Sequence, residues 1–167
     1  YVAANQSSAD DIGRARFLNE IDGLMFGPNP AEGVFVDSNF YHSGLNFVLD
    51  FPTRWLTQNR PDAILAISAD RGAETQVVHP SVAVGTSPES LVAQLGIGQL
   101  SNPQRIQSSA AKGITGIGVV STGQGQKLPA RIGILIDGTN AYLITGVARD
   151  PSKFSTYDKP IFATISS

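Results

Sequence analysis

The chain has 167 residues, 41% of them hydrophobic, which fits one globular domain with a buried core and excludes a disordered polymer. Twelve basic and fourteen acidic residues give a formal net charge of -2 without a basic cluster, so nucleic acid is not an expected partner. The lack of cysteine excludes disulfides and cysteine-based zinc sites, and no apolar run reaches the roughly 20 residues of a membrane-spanning helix.

The first predicted element is a helix within residues 7–27. Ser8 and Asp11 resemble a capping box, and apolar residues recur at helical spacing. These are Phe17, Ile21, Leu24 and Met25. A connector rich in glycine and proline follows as far as Gly33. We therefore divide the chain into a helix with its connector, residues 1–33, and a body, residues 34–167. Because the chain begins at Tyr1 without methionine, we expect it to be a processed chain or a piece of a longer one.

The body is predicted to begin with a hairpin of residues 34–41 and 45–51 around "HSG". Alternation places Leu45, Phe47, Leu49 and Phe51 on one face. Pro52 removes a backbone donor and ends the pairing, and Trp55 returns a large apolar surface to the core.

Two short strands, "DAILAIS" and "ETQVVH", are predicted to pair across the polar loop "ADRGA". The period then changes to that of a helix in "SPESLVAQLG", with Ser87 as the N-cap, Pro88 in the first turn and Gly96 at the end.

The second half is predicted to be an antiparallel meander followed by a helix. Its strands are "RIQSS", "GITGIGVVST", "ARIGILID" and "AYLITGVA", the last two joined by a turn at Asp137 and Gly138. Asp150 caps the closing helix, which Pro160 should kink or shorten. The order of helices and strands predicts an α+β fold in which helices cover an antiparallel sheet.

Metal and acid–base chemistry has few candidate residues. No H-E-x-x-H motif is present, and His42 and His79, each beside a turn, could form a metal site with Asp37 or Asp70 only if folding brought them together. Surface or loop-closing hydrogen bonds are the favoured interpretation of both histidines. Several carboxylates lie near predicted strand ends, but no catalytic pair can be chosen among them. They are Asp37, Asp50, Asp62, Asp70 and Glu74.

Nucleophile and phosphate sites are not predicted either. Ser43 follows His42, but neighbouring strand residues face opposite ways, and no G-x-S-x-G elbow is present. The glycines at 116, 118 and 133 lack phosphate-loop spacing and are better explained by a helix packed closely on the sheet, and Lys127 by a hairpin loop.

Aromatic residues offer the remaining site prediction. Six of them are candidates to line a binding groove, although alternating aromatic residues more often belong to a core. They are Phe35, Phe40, Tyr41, Phe47, Phe51 and Trp55, of which Tyr41, Phe51 and Trp55 are the selected candidates.

Two resemblances follow from these motifs. The stretch "FLNEIDGLMFGPNPAEGVFVDSNFYHSGLNFVLDFPTRWL" resembles the segment after the catalytic domain of bacterial zinc metallopeptidases of the HtpX-like and BepA-like family, peptidase family M forty-eight. The corner from Phe47 to Trp55, with the meander and last helix, is similar to the PsbP-like αβα sandwich. Fold analogy alone does not imply function.

The first resemblance implies a non-catalytic accessory domain of a cell-envelope or periplasmic metallopeptidase. It would bind a substrate, a partner protein or peptide, or its own peptidase domain, or it would regulate access to the peptidase. Zinc is implied only for the parent enzyme, because no residue here matches its ligands, and no cofactor is expected in this segment. The alternative is a free-standing PsbP-like module that binds an envelope protein. A third hypothesis is an enzyme that uses His42 or His79 with a nearby carboxylate.

Overall fold

A computed structural model of the protein describes residues 33–42, 47–107 and 111–167. The predicted first helix and its connector, up to residue 32, lie outside these ranges. The strands are β1 (Val34–Val36), β2 (Asn39–His42), β3 (Phe47–Asp50), β4 (Leu56–Asn59), β5 (Ile64–Ile67), β6 (Ala73–Val78), β7 (Ser101–Gln107), β8 (Lys112–Ser121), β9 (Lys127–Asp137) and β10 (Asn140–Ala148). The helices are α1 (Pro88–Gln94) and α2 (Phe154–Ile165), the latter preceded by a 3-10 turn at Pro151–Lys153.

The strands form two antiparallel sheets. The small sheet has the order β1-β2-β3, and the large sheet has the order β4-β5-β6-β10-β9-β8-β7. In the described residues, β4 and β7 are therefore the outer strands of the large sheet. The predicted meander is confirmed, because β7, β8, β9 and β10 pair in succession.

Both faces of the large sheet are covered, which gives an α+β sandwich. One face of the large sheet carries α2 and the small sheet. The large sheet, the small sheet and α2 share one apolar cluster. The opposite face carries α1, where Leu91 packs against Ile134 and Ala141. The predicted class, an antiparallel sheet covered by helices, is confirmed.

Two glycines allow α2 to approach the sheet. A Cβ atom on Gly133 would lie 2.5 Å from Cγ2 of Ile165, and one on Gly146 would meet the side chain of Ile161. The prediction that Gly133 serves helix packing is therefore confirmed. Gly116 instead makes room for Leu100, which precedes β7 and belongs to no helix, and a Cβ atom on Gly118 would lie 2.7 Å from Cδ1 of Ile132.

The predicted hairpin at the start of the body is correct in its pairing but wrong in its first strand. β2 pairs with β3 as expected, but residues 34–41 are interrupted by a turn at Asp37 and Ser38. Asp37 has a φ of 55°, a left-handed conformation that aspartate tolerates in turns and that departs from the extended backbone of a regular strand. The break creates a further strand pair, β1 with β2.

Other differences are one strand that was not predicted, β4, and the ends of several elements. Lys127 begins β9 instead of lying in a loop. β7 begins at Ser101, earlier than the predicted "RIQSS", and includes Pro103 together with a register shift. Pro160 lies inside α2 without shortening it.

The cap of α1 follows the sequence prediction, whereas Asp150 caps the 3-10 turn before α2, and α2 itself has Lys153 at its N-cap without a side-chain hydrogen bond. The hydroxyl of Ser87 accepts the backbone N–H of Ser90 at 3.1 Å, and Gly96 follows α1 with a φ of 66°. Asp150 accepts the N–H of Ser152 at 3.0 Å before α2. Neither of the helices within the described ranges is long and apolar enough to cross a membrane.

Candidate functional site

A cavity of about 170 Å³ lies between the small sheet and one end of the large sheet. It is bordered by the end of β2, the turn between β4 and β5, and the end of β6. Its walls are mostly aromatic and aliphatic, with a few polar groups. They consist of Phe40, His42, Phe47, Asn59, Arg60, Pro61, Asp62, Ala63, Ile64, Val77, Val78, His79 and Tyr142. We call it the inter-sheet cavity.

Strand alternation explains the wall from the small sheet. Phe40 and His42 are two positions apart on β2 and therefore face the same way, toward the large sheet. Phe47 lies opposite His42 in the register of β2 with β3, and joins the same face.

The wall from the large sheet follows from its register. Ile64 of β5 lies opposite Val77 of β6, which in turn lies opposite Ile144 of β10. Tyr142 is two positions before Ile144 and so faces the same side. This places its ring near His79, with 5.3 Å between the ring centroids.

Tyr142 is the most buried titratable group of the cavity. The residue is 3% exposed, and burial, followed by the nearby carboxylate of Asp137, raises the pKa of its phenol to about 12. The phenol therefore stays neutral at physiological pH.

The polar part of the cavity contains charges of both signs. Arg60 and Asp62 lie in the turn between β4 and β5, and both are exposed. Arg60 donates from Nη2 to Oε1 of Gln58 at 3.0 Å, and Asn59 donates from Nδ2 to the carbonyl of Gly33 at 3.0 Å. The second bond joins the large sheet to the chain entering the small one.

The two histidines meet in this cavity, but their predicted carboxylate partners do not. Asp37 lies in the turn between β1 and β2, and Asp70 lies in the turn between β5 and β6; neither borders the cavity, whereas Asp62 does. Within the described parts of the chain, no group of three or more histidine, cysteine, aspartate and glutamate side chains is placed to hold a metal ion. His42 stacks beside Phe47, and His79 lies edge-on to Tyr142, so each histidine has an aromatic neighbour in the cavity wall.

The three residues of the predicted groove are distributed between core and surface. Phe51 is 3% exposed and belongs to the shared core, and Trp55 packs against that core. Tyr41 is 40% exposed and lies on the outer face of the small sheet, because its neighbour Phe40 faces inward. The rings do not line one groove; whether any of them binds a ligand stays a prediction.

Asp70 belongs to a separate hydrogen-bonded cluster. Its carboxylate accepts from the hydroxyl of Ser68 at 2.6 Å, from the N–H of Gly72 at 3.1 Å and from the hydroxyl of Tyr157. These donors, with Ser68 first and Tyr157 second, lower the pKa of Asp70 to about 2. The cluster joins the turn between β5 and β6 to α2, which is a structural role.

Arg131 and Asp158 form a second polar link between the large sheet and α2. Nε and Nη2 of Arg131 donate to the two carboxylate oxygens of Asp158, both at 2.7 Å. The Arg131 side chain is 8% exposed, and its guanidinium lies 5.4 Å from the ring centroid of Phe162. This bidentate pair orients the helix on the sheet.

The sequence did not reveal Tyr142 or Arg60 as lining residues of one cavity, whereas Phe40 and Phe47 were among the aromatic candidates for a groove. Tyr142 occupies an ordinary alternating strand position, and only the register between distant strands brings it to Phe40. The available signals were the alternating aromatic residues and the position of both histidines at strand ends.

Comparison with solved structures identifies the fold. The solution structure of cyanobacterial PsbP, CyanoP, from Synechocystis sp. PCC 6803 matches with a TM-score of 0.53 and 12% identity, covering 87% of this chain and 98% of that one. A crystal structure from Bacteroides thetaiotaomicron matches with a TM-score of 0.52 and 12% identity, covering 78% of this chain and 48% of that one. This chain therefore spans about half of the Bacteroides protein.

The protein thus has a PsbP-like α+β fold, as the second sequence resemblance implied. No family model and no curated protein sequence matches the chain. These comparisons give no support to the metallopeptidase resemblance, which stays a prediction from the sequence.

Proposed function

We propose that this protein is a non-catalytic, PsbP-like binding module that holds one side chain of a partner protein in the inter-sheet cavity. This is the sequence-based alternative of a free-standing module, and the PsbP-like fold supports it better than the accessory domain of a metallopeptidase. The peptidase parent, its zinc and a cell-envelope or periplasmic location remain expectations that depend on the other resemblance.

The size and lining of the inter-sheet cavity carry the proposal. Sites for free small molecules usually enclose about 300 to 1,000 Å³, whereas this cavity has about 170 Å³. A volume of that order suits one anchoring side chain, and partner proteins commonly derive most of their binding energy from a few such anchors in well-packed pockets. The apolar wall provides the contact area, and the charged turn with Arg60 and Asp62 provides polar contacts at the margin.

A variant that fills the cavity tests the proposal. Ala63 lines the cavity and is buried, so Ala63→Leu places additional carbon atoms in the space of the partner's side chain. Ala93→Leu is the matched control, because Ala93 is exposed on α1, on the opposite face of the large sheet.

The probe is a random peptide library displayed on phage and selected on the wild-type protein. We expect enriched peptides to bind Ala63→Leu at least about tenfold more weakly than wild type, and Ala93→Leu as tightly as wild type, by fluorescence polarisation. Failure to enrich any peptide, or equal affinity for all three proteins, would contradict the proposal. Thermal unfolding of both variants establishes that they are folded.

A further inference from the structure

Five aromatic rings form a continuous series in the wall of the inter-sheet cavity. The centroid distances are 6.2 Å for Phe40 with His42, 5.8 Å for Phe40 with Phe47, 6.2 Å for His42 with Phe47, 4.3 Å for Phe47 with Tyr142 and 5.3 Å for Tyr142 with His79. Four of these distances lie within the range of about 4.5–7 Å in which aromatic rings attract one another in offset or edge-on arrangements, and Phe47 and Tyr142 are slightly closer. A wall of this kind can extend the same contacts to one more ring.

The volume of the inter-sheet cavity fits one six-membered ring. An engineered apolar cavity of about 150 Å³ in another protein holds one benzene molecule, and the inter-sheet cavity has about 170 Å³. A single six-membered ring fills such a space.

The charges at the margin favour a neutral guest. Arg60 and Asp62 carry opposite charges and border the same cavity, so neither a cation nor an anion meets a uniform field there. Tyr142 adds no charge, because a phenol with an ordinary pKa of about 10 is already neutral at physiological pH.

We infer that the group seated in the inter-sheet cavity is the neutral aromatic ring of a phenylalanine or tyrosine side chain on the partner protein. This inference rests on the proposed function and specifies the anchor residue. We assign the ring to a partner protein because the cavity opens beside the exposed turn of Arg60 and Asp62, where the backbone of a partner can lie.

Small probes of similar size separate ring recognition from general apolar binding. Toluene, methylcyclohexane and tetramethylammonium are titrated into isotope-labelled protein, and methyl shifts of Ile64 and Val77 report occupancy. We expect toluene to bind about three- to tenfold more tightly than methylcyclohexane, and tetramethylammonium not to bind.

The double variant His42→Leu/His79→Leu keeps apolar volume but removes two rings of the wall. It should bring the affinities of toluene and methylcyclohexane close together. Tyr41→Leu, on the outer face of the small sheet, removes a ring that does not border the cavity and should leave the preference unchanged.

Peptides from the library selection complete the test. Enriched peptides should contain a phenylalanine or tyrosine whose replacement by leucine weakens binding by about three- to tenfold. Equal binding of toluene and methylcyclohexane, or binding of tetramethylammonium, would overturn the aromatic inference while leaving the proposed function intact. Toluene binding combined with peptides that tolerate leucine would show that the cavity takes free aromatic compounds, and would also overturn the inference. If Ala63→Leu bound the enriched peptides as tightly as wild type does, the proposed function itself would be refuted.

Discussion

Individual side chains fix the contact between α2 and the turn of the β5–β6 hairpin. Asp70 is the centre of this contact, since Ser68 and Gly72 of its own turn and Tyr157 of α2 all donate to its carboxylate. The donors favour the ionised form, so the cluster depends on a charged Asp70.

Asp70 should make unfolding depend on pH in acid. The pKa of Asp70 is about 2 in the folded protein, and an aspartate in an unfolded chain has a pKa of about 3.9. Because the folded pKa is the lower one, the stabilisation is complete above about pH 4 and is lost as the pH falls toward 2. We expect Asp70→Asn to unfold more readily than wild type at pH 7, and this difference to shrink between about pH 4 and 2.

Urea unfolding at a series of pH values measures this effect. Asp62→Asn is the control, because Asp62 lies in the comparable turn between β4 and β5 and is exposed. A difference between wild type and Asp70→Asn that stays constant down to pH 2 would contradict the prediction.

At the residue scale, the sequence revealed helix caps but not the hydrogen-bonded cluster around Asp70 or the shared cavity of the two histidines. Ser87 and Asp150 were identified as caps because each bonds to a residue two or three positions away. The partner of Asp70 on α2, Tyr157, is 87 residues distant, and no local pattern indicates such a bond. The same limit applies to His42 and His79, which share a cavity only because of the pairing of distant strands.

The packing of α2 on the large sheet depends on positions without side chains. Gly133 of β9 and Gly146 of β10 lie under Ile165 and Ile161, so the helix rests directly on the backbone of the sheet. Additional volume at either glycine must displace the helix or distort an isoleucine.

Gly133→Ala should therefore destabilise the fold. The new methyl group would meet Cγ2, Cδ1 and Cγ1 of Ile165, all within 3.0 Å of its position, and overpacking of this kind costs about 1–3 kcal/mol. Chemical denaturation measures the loss of unfolding free energy. Gly123→Ala is the matched control, because no heavy atom lies within 4 Å of a Cβ there. Equal destabilisation of the two variants would show that helix packing is not the cause.

At the scale of elements, prediction succeeded where the signal was local. α1 was predicted from its cap and its terminal glycine, and β9 and β10 from their alternation and the turn that joins them. β4 was missed because it has no alternating buried apolar residues. Its only large apolar residue, Leu56, is 58% exposed, and the strand is defined by its pairing with β5. The break between β1 and β2 had a usable signal in the turn-forming residues Asp37 and Ser38.

The molecule as a whole joins its two sheets through one core. Phe40 and Leu49 of the small sheet belong to the same apolar cluster as Ile144 of the large sheet and Ile161 of α2. Trp55 lies on the connection between the sheets and packs against this cluster. The two sheets should therefore unfold together.

Trp55 is the only tryptophan in the chain and can report on this coupling. We expect guanidinium unfolding followed by tryptophan fluorescence to have the same midpoint as unfolding followed by far-ultraviolet circular dichroism, as in a cooperative two-state transition. A fluorescence change at clearly lower denaturant concentration would mean that the small sheet detaches first.

The fold class and its helix-covered sheet were predictable from the order of elements, and the PsbP-like resemblance agreed with them. The division of the strands into two sheets was not predictable, because it depends on which strands pair when they are far apart in the sequence. The inter-sheet cavity exists only as a consequence of that division, so its residues could not be assembled from the sequence.

The irregular outer strand β7 bears on aggregation. An open sheet edge is a template onto which a strand of another molecule can add. On β7, Pro103 offers no backbone N–H, the register with β8 shifts between Ser101 and Gln104, and Arg105 places a charge near the end of the strand. An approaching strand would therefore meet a missing donor, a broken repeat and a charged side chain. Because β7 is an outer strand of the large sheet in the described residues, we expect these features to hinder edge-to-edge pairing there.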